Sequence, residues 1–586
     1  IIKDKLFFFV NAEFQRDETP QPFNVDNYNG DATPAQLDQL GTFIESNYGY
    51  NIGTFDDNTR SLDSDKILAK LDWNINERNK LTLRHSFTKA ENLEARNSSP
   101  TFIGFLNGSE YFESTTNSTA IELTSTIGNN MANRLIVGAT IVRDDRDPLG
   151  DEFPTIRISD GDGSIEIGAE RFSTANLLNQ DIITVNNDFE YFTGKHSFLV
   201  GVNFEYYNVG NLFIRENFGS YRFFGGVDQF LNDLDPATGN PISSRIDRSW
   251  SQVDNVVGDE SAAIADFRQI LFGFYLQDQI QLTNNLKLTA GVRLDFPIFL
   301  DDVPVNQDFN QNTIPLIESF GYDLKGAETG RFINTKVLFA PRVGFNWDVN
   351  GDMTTQVRGG VGLFTSRIPL VWQGGAFNNY GLNIGGGRND NEVFNPDINN
   401  QWPGDIDLEN PVPSGQVDLF AADFKLPQVW KLNLAVDQKL PWGLIGTLEA
   451  IYSKHINYLR YENVNLKPSE QNLTGGPDTR PLFNEDDLID DKYTGVYVAS
   501  NTDNGGYSYN LVASLTKPFE KGLSWTLSYS YGDAFTVFDG TSSQNNSQWR
   551  GYFNTAGRNQ EGDPMRSIFS AGHRLLASVS YKKEYA

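Results

Sequence analysis

The segment KLPQVWKLNLAVDQKLPWGLIGTLEAIYSK, residues 425–454, decides the fold because its polarity alternates from one residue to the next. On its first arm, Leu432 and Leu434 fall on one face and Asn433 falls on the other. Residues 440–443, LPWG, predict a tight turn, because proline fixes one backbone dihedral and glycine permits an unusual one. Alternation on both arms predicts a β-hairpin, and arms of roughly 10 residues suit tilted strands that cross a bilayer. The segment therefore predicts one hairpin of a membrane barrel, with a lipid face and a watery face.

The composition is compatible with this prediction and excludes several other classes of protein. The 586 residues contain no cysteine and carry a formal net charge of −29, which argues against a nucleic-acid partner. No stretch is apolar for long enough to form a membrane-spanning helix. A negative mean hydropathy still suits a barrel, because only every second strand residue meets lipid.

Similar hairpins recur along the whole chain. One turns at Asn350-Gly351, a strong hairpin signal, and another is predicted to turn at Lys517-Pro518-Phe519. We count roughly sixteen strands, whose connections alternate between a few residues and about thirty to sixty, as in outer-membrane barrels. The fold class is therefore predicted as all-β, a transmembrane antiparallel β-barrel with long extracellular loops; a large secreted all-β protein is the alternative.

Several of these segments also resemble a known family. KDKLFFFVNAEFQRDE (3–18), LAKLDWNINERNKLTLRHSF (68–87) and FYLQDQIQLTNNLKLTAGVRLDF (274–296) are similar to the barrel of Oar-like TonB-dependent transporters. The resemblance continues to GHRLLASVSYKKEYA (572–586) and implies a signal peptide, a carboxypeptidase-regulatory-like domain and a plug before the barrel. Barrels of this class have about 22 strands. We therefore expect residues 1–586 to be a partial barrel domain with about 16 of 22 strands, lacking those N-terminal parts and the C-terminal strands.

Charged residues on the polar face of the predicted strands are the first candidate site. Arg or Lys facing lipid near the midplane would cost about 2–4 kcal/mol, so a wet or protein-filled interior is required. We predict that these side chains face the lumen and contact the plug or the permeating substrate; a merely solvated lumen is the alternative. They are Arg84, Glu122, Glu190, Arg293, Arg342, Arg358, Lys431, Asp437 and Glu449.

The long loops contain two further kinds of candidate. Aromatic residues there could stack on a ligand or pack the loops together: Trp250, Trp372, Tyr380, Trp402 and Trp549. Asp160 and Asp162 offer oxygen ligands at alternate positions, with Glu166 nearby, so they form a weak candidate for structural calcium. A solvated acidic loop is the simpler interpretation, and no other metal or cofactor is predicted.

The sequence does not predict an enzyme. Its four histidines, His85, His196, His455 and His573, are far apart, and it has neither HExxH nor GxSxG. The resemblance implies ligand uptake across a Gram-negative outer membrane, with contacts to lipid and coupling to the TonB–ExbB–ExbD system. A structural or adhesion barrel and a barrel for protein export or secretion are the alternatives. Iron chelate, peptide, oligosaccharide and protein all stay open as substrates.

Overall fold

Sixteen long strands form one continuous antiparallel sheet, so the predicted fold class and strand number are confirmed. The computed structural model describes residues 2–254, 259–401, 407–483, 487–520, 522–551, 559 and 564–583. In chain order the strands are β1 (Leu6–Thr19), β2 (Arg60–Asn76), β3 (Asn79–Glu94), β4 (Glu110–Ile127), β5 (Met131–Pro148), β6 (Asn176–Thr193), β7 (His196–Phe213), β8 (Ala265–Thr283), β9 (Leu286–Phe299), β10 (Leu338–Asp348), β11 (Thr355–Thr365), β12 (Gln428–Leu440), β13 (Leu444–Ile456), β14 (Gly506–Glu520), β15 (Leu523–Thr536) and β16 (Gly572–Tyr581).

The register of the sheet brings apolar residues together on its outer face. A single row of directly paired positions crosses β1 to β9, and every member is apolar: Phe8, Leu71, Leu83, Ile121, Val137, Val185, Phe204, Phe272 and Phe296. Successive side chains of a strand point to opposite faces, so the residues between these positions form the inner face. On β12, Leu434 is 49% exposed on the outer face, and the half-buried Asn433 lies on the inner face, as the alternation predicts.

Every strand of the sheet pairs with its neighbour in the chain, which sorts the connections by length. Short turns such as Gly194-Lys195 and Asn284-Asn285 therefore lie at one end, and all the long connections lie at the other. The predicted separation of loops is confirmed. The predicted turn at Lys517-Pro518-Phe519 is wrong, because β14 continues to Glu520 and the chain reverses before Leu523.

Two edges bound the sheet over the described residues. β1 pairs with β2, and β16 pairs with β15, which also pairs with the two-residue strand Met565–Arg566. The expectation of 22 strands in the whole barrel stays a prediction.

The long connections fold into a second region, here called the loop layer. It has a six-stranded sheet in the order Ile384–Asp390, Arg245–Ser251, Ser220–Phe223, Thr155–Asp160, Gly163–Ile167 and Phe102–Gly104. A three-stranded sheet has the order Gly415–Phe420, Tyr493–Thr502 and Tyr458–Asn463, and Gln471–Asn472 pairs with Pro481–Leu482. The helices are α1 (Pro34–Tyr48), α2 (Gly226–Asn232), α3 (Ile314–Ser319), α4 (Leu370–Asn378) and α5 (Asn545–Arg550). Over the described ranges, none of the helices has the length and apolarity needed to cross a membrane.

Candidate functional site

The inner face of the sheet carries a band of charge on five consecutive strands. Six of the nine predicted lumen residues lie there, one or two on each strand from β9 to β13: Arg293, Arg342, Arg358, Lys431, Asp437 and Glu449. All six alternate with residues of the apolar outer face. The structure therefore brings together side chains that are up to 156 positions apart in the sequence.

Arg358 is the centre of an ion-pair cluster on this band. Its Nε lies 3.1 Å from Oδ2 of Asp437, and its Nη1 lies 3.5 Å from Oε1 of Glu449. Thr447 donates its hydroxyl to the other Asp437 oxygen at 2.6 Å. The charges of Arg358, Asp437 and Glu449 therefore compensate one another, and their side chains are still partly exposed toward the interior.

Two further cations of the band lie over one aromatic ring. The Arg342 guanidinium is 4.5 Å from the centre of the Phe364 ring, and the Lys431 amine is 5.7 Å from it. Cations are attracted to the face of an aromatic ring, so Phe364 holds both side chains against the wall. The two positive charges consequently stay close to each other on the inner face.

A cavity of about 460 Å³ lies beside this band, against β6 to β11. Arg293 donates to Oδ1 of Asn203 at 3.1 Å and pairs with Asp295 at 2.5 Å. The same cavity is lined by Arg367, which lies 2.6 Å from Glu205. The cavity therefore presents both donors and carboxylates, and its volume falls in the range of small-molecule sites.

Glu205 and Arg367 were not among the predicted site residues. Glu205 occupies a polar-face position of β7 next to outward Phe204, so the same alternation could have found it. Arg367 follows the end of β11 in a long connection, where the pattern of alternating polarity has ended. Its contact with Glu205, which also accepts from Tyr207 at 2.6 Å, requires the tertiary structure.

The other three predicted lumen residues lie on the inner face away from this band. Glu122 on β4 pairs with Arg134 at 2.8 Å. Arg84 on β3 lies directly opposite Lys70, and Glu190 on β6 lies opposite Leu199. Contact of any of the nine residues with a plug or substrate stays a prediction.

The loop aromatics have different environments. Trp372 is 7% exposed in α4 and donates its indole N–H to the Ser542 carbonyl at 2.8 Å, which gives it a packing role. Trp549 donates to Asn559 at 2.9 Å. Tyr380 is half-buried and burial raises the pKa of its hydroxyl.

Trp250 is half-buried and lies 5.9 Å from the Arg248 guanidinium. Trp402 lies outside the described residues. Ligand contact by the aromatic residues stays a prediction.

The acidic candidates for calcium form a tight hairpin. Asp160 is buried and accepts the Ala32 backbone N–H at 2.9 Å, whereas Asp162 is exposed at the turn. Glu166 pairs with Arg96 and Arg157. Over the described ranges, no group of three acidic or histidine side chains is placed to hold a metal ion. Calcium binding here has no further support.

The sequence matches the family described as the outer membrane beta barrel domain over residues 28–584. The chain belongs to that family. Its location is therefore the outer membrane, in agreement with the predicted localisation. Comparison with curated protein sequences gives no match.

Solved structures of outer-membrane proteins are similar to this barrel in fold. The outer membrane transporter YddB from Escherichia coli has a TM-score of 0.56 and 12% identity, covering 99% of this chain and 60% of its own. The siderophore receptor PirA from Acinetobacter baumannii has a TM-score of 0.48 and 11% identity, covering 99% of this chain and 69% of its own. The chain thus spans about 60% of the length of YddB. At such low identity the likeness to YddB concerns the fold.

Proposed function

We propose that this chain forms the wall of an Oar-like TonB-dependent transporter. The transporter captures a ligand with its extracellular loops and imports it across the outer membrane with energy from the inner membrane. Two features support the proposal beyond the family: the band of charge on the inner face and the packed loop layer at one end of the sheet. The Oar-like subtype rests on the sequence resemblance described above.

The band of charge from β9 to β13 is the observation that carries the proposal. A barrel that serves only as an anchor needs no cluster such as Arg358, Asp437 and Glu449 on its inner face. These side chains are suited to exchange ion pairs and hydrogen bonds with a protein plug or a passing polar ligand. The proposed function is therefore transport and not enzymatic catalysis.

Energy must come from outside the barrel. The outer membrane holds no ATP, and a plugged lumen must be opened by work done from the periplasm. The partners implied are the TonB–ExbB–ExbD system, through the N-terminal part of the family's proteins, and the lipid that surrounds the apolar outer face.

Uptake by cells that make the full-length protein tests the proposal. The ligand is first identified by mass spectrometry of what co-purifies from native membranes, and its uptake is then measured with and without TonB. We expect uptake only with TonB. Undiminished uptake in cells lacking TonB would favour a passive barrel, and binding to surfaces with no uptake would favour an adhesion barrel.

Variants of the inner wall refine the same test. Arg358→Gln removes the centre of the ion-pair cluster and should lower uptake while the amount of protein in the outer membrane stays constant. Arg16→Gln is the matched control, because Arg16 pairs with Asp65 at 2.5 Å near the long-loop end of β1, on the outer face. Equal loss of uptake in the two variants would show that the ion-pair cluster on the inner face has no specific role in uptake.

A further inference from the structure

A cavity of about 550 Å³ lies in the loop layer, beside the long-loop ends of β6 and β7. Its walls come from the paired strands Arg245–Ser251 and Ile384–Asp390 and from the segments that flank β6 and β7. It is separate from the inner-wall cavity, with which it shares no lining residue. A ligand bound there would sit at the mouth of the barrel.

The lining of this cavity is strongly basic in a protein whose net charge is −29. Among the described residues, eight arginine and lysine side chains line it, against three carboxylates, so the described lining has an excess of positive charge. One of the eight, Lys492, pairs with Asp308 outside the lining at 2.7 Å. Lys492 and Arg550 come from two separate connections. The other six cations are Arg171, Arg215, Arg222, Arg245, Arg248 and Arg388.

Three arginines are placed directly opposite one another on adjacent strands of the loop layer. Arg222 pairs in register with Arg157 on one side and with Arg245 on the other. Like charges at directly opposite positions destabilise a sheet. The Asp247 carboxylate partly offsets this repulsion, since it lies 2.7 Å from Arg222, 3.2 Å from Arg245 and 3.3 Å from Arg388.

Burial adds to the cost of these charges. The pKa of Arg222 is lowered, first by burial and then by the neighbouring Arg245 and Arg171, although Asp247 acts in the opposite direction. The Arg245 side chain is only 13% exposed. A bound anion would relieve the repulsion among the guanidinium groups, as carboxylates do in buried ion pairs.

One wall of the cavity is formed by backbone. Residues 385–387 are all glycine, and a Cβ on Gly385 would lie 2.5 Å from the Trp250 ring. The same ring lies beside Arg248, whose guanidinium donates to the Gln401 carbonyl at 2.8 Å. Trp250 and a backbone carbonyl thus hold Arg248 in place, and no carboxylate is required for it.

We propose that this cavity binds a small molecule with several oxyanion groups, either carboxylates or phosphates. Guanidinium groups match both anions because their parallel N–H groups can donate to two oxygens at once. The volume suits a small molecule of this kind. This proposal rests on the proposed function in one respect: it takes the bound anion to be the ligand that the transporter imports.

Calorimetry on the purified full-length protein in detergent tests binding without any need for TonB. Tricarballylate and inorganic pyrophosphate are the probes, and maltotriose is the uncharged comparison. We expect saturable binding of at least one anion and none of maltotriose. Stronger binding of tricarballylate would identify a carboxylate ligand, and stronger binding of pyrophosphate a phosphate ligand.

Three variants connect the binding to this cavity. Arg222→Gln combined with Arg245→Gln should weaken binding about 10- to 100-fold, because charged hydrogen bonds to the anion are lost. Arg480→Gln should leave binding unchanged, because Arg480 is paired with Asp478 beside the short pair Gln471–Asn472 and Pro481–Leu482. Asp247→Asn should tighten binding, because it removes a carboxylate that competes with the ligand, and a folding defect would not have that effect.

The proposal is overturned if neither anion binds the wild-type protein saturably, or if Arg480→Gln weakens binding as much as the double variant. It is also overturned if Asp247→Asn weakens binding. Loss of anion binding with intact TonB-dependent uptake would reject this site and leave the proposed function standing. Anion binding without TonB-dependent uptake would support this site and reject the proposed function.

Discussion

The barrel wall and the loop layer arrange their apolar residues in opposite ways. On the wall, Phe8 and Leu448 are each 65% exposed on the outer face, whereas in the loop layer Phe230 and Phe394 are fully buried. The wall therefore turns its apolar side chains toward lipid, and the loop layer encloses its own as a water-soluble domain does. The same residue types stabilise the two regions through different surroundings. Equivalent substitutions should therefore cause different losses of stability in the wall and in the loop layer.

The largest effect is expected from a buried aromatic residue of the loop layer. Phe230 in α2 has its ring 5.0 Å from Phe223 and 5.5 Å from Phe43. Phe230→Ala should destabilise the loop layer by about 3–5 kcal/mol, because it leaves a cavity among rigid neighbours. This loss is measured by denaturant unfolding of the full-length protein, with proteolysis of the loops as the readout.

Leu448→Ala is the matched change on the wall. Lipid chains fill the space that a shortened side chain leaves, so no cavity forms and the loss should be much smaller. An equal loss for the two substitutions would contradict the contrast between the regions.

A smaller but still large effect is expected on the outer face of the wall. Leu434 lies at the centre of β12, and Leu434→Arg should cost about 2–4 kcal/mol near the midplane of the bilayer. Asn433→Arg should cost much less, because the polar inner face can accommodate a charge. Folding yield in lipid vesicles compares the two variants of the full-length protein, and equal yields would refute the assignment of faces.

The wall was predictable from sequence because its signal is local. Alternation in residues such as Leu432, Asn433 and Leu434 reports the two faces without any knowledge of distant contacts. The failure at Pro518 has a local cause as well. Proline suggested a turn, but the irregularity between Lys517 and Glu520 places it in the strand, and Gly522 with φ of +86° makes the reversal.

The loop layer was predictable only in part. Asp160-Gly161-Asp162-Gly163 has the composition of a cation-binding loop, yet Ile156 and Ile158 before it and Ile165 and Ile167 after it alternate as in a hairpin. That signal was present in the sequence. Asp160 pairs with Gly163, so Gly161 and Asp162 form the two-residue turn. Gly161 takes a φ of +54° at the first turn position, where type II′ turns place a glycine.

The basic cavity gave no comparable signal. Arg222 in the cavity and Arg157 beside it become neighbours through a parallel pairing of residues that are 65 positions apart, and Arg388 joins the cavity from a different connection. No local periodicity of the sequence relates positions that are so far apart. Register between distant segments depends on the tertiary packing of the loop layer.

A pH-dependent effect is expected in the same layer. Asp418 is 2% exposed and accepts hydrogen bonds at 2.8 Å from Asn379 and from Gln416, yet burial raises its pKa from 3.8 to about 6. The folded state then binds more protons than the unfolded state between about pH 4 and 6, so stability falls as pH rises through that window. Above it, the ionised group destabilises the fold by about 2–3 kcal/mol.

Asp418→Asn removes this proton uptake. Relative to the wild type, the variant should gain stability as the pH rises from 4 to 7. Thermal unfolding of the full-length protein at the two pH values measures the change, and a difference that is the same at both would exclude Asp418 as its source.

The smallest effect concerns the start of α1, where the loop layer depends on backbone capping. The Thr33 hydroxyl accepts the Gln36 backbone N–H at 3.3 Å, and the Gln36 side chain accepts the Thr33 N–H at 3.0 Å, so the two residues form a capping box. Thr33→Ala should destabilise α1 by about 1 kcal/mol, because the Gln36 N–H loses its side-chain acceptor and keeps only the Thr33 carbonyl. Thr42→Ala in the same helix is the control, since its hydroxyl only donates back to the Asp38 carbonyl and alanine favours a helix interior. Hydrogen exchange of the α1 amides should therefore accelerate in the first variant and stay constant or slow in the second. Equal acceleration in both would mean that any side-chain loss on α1 loosens the layer, and the capping box would then not be what fixes this helix.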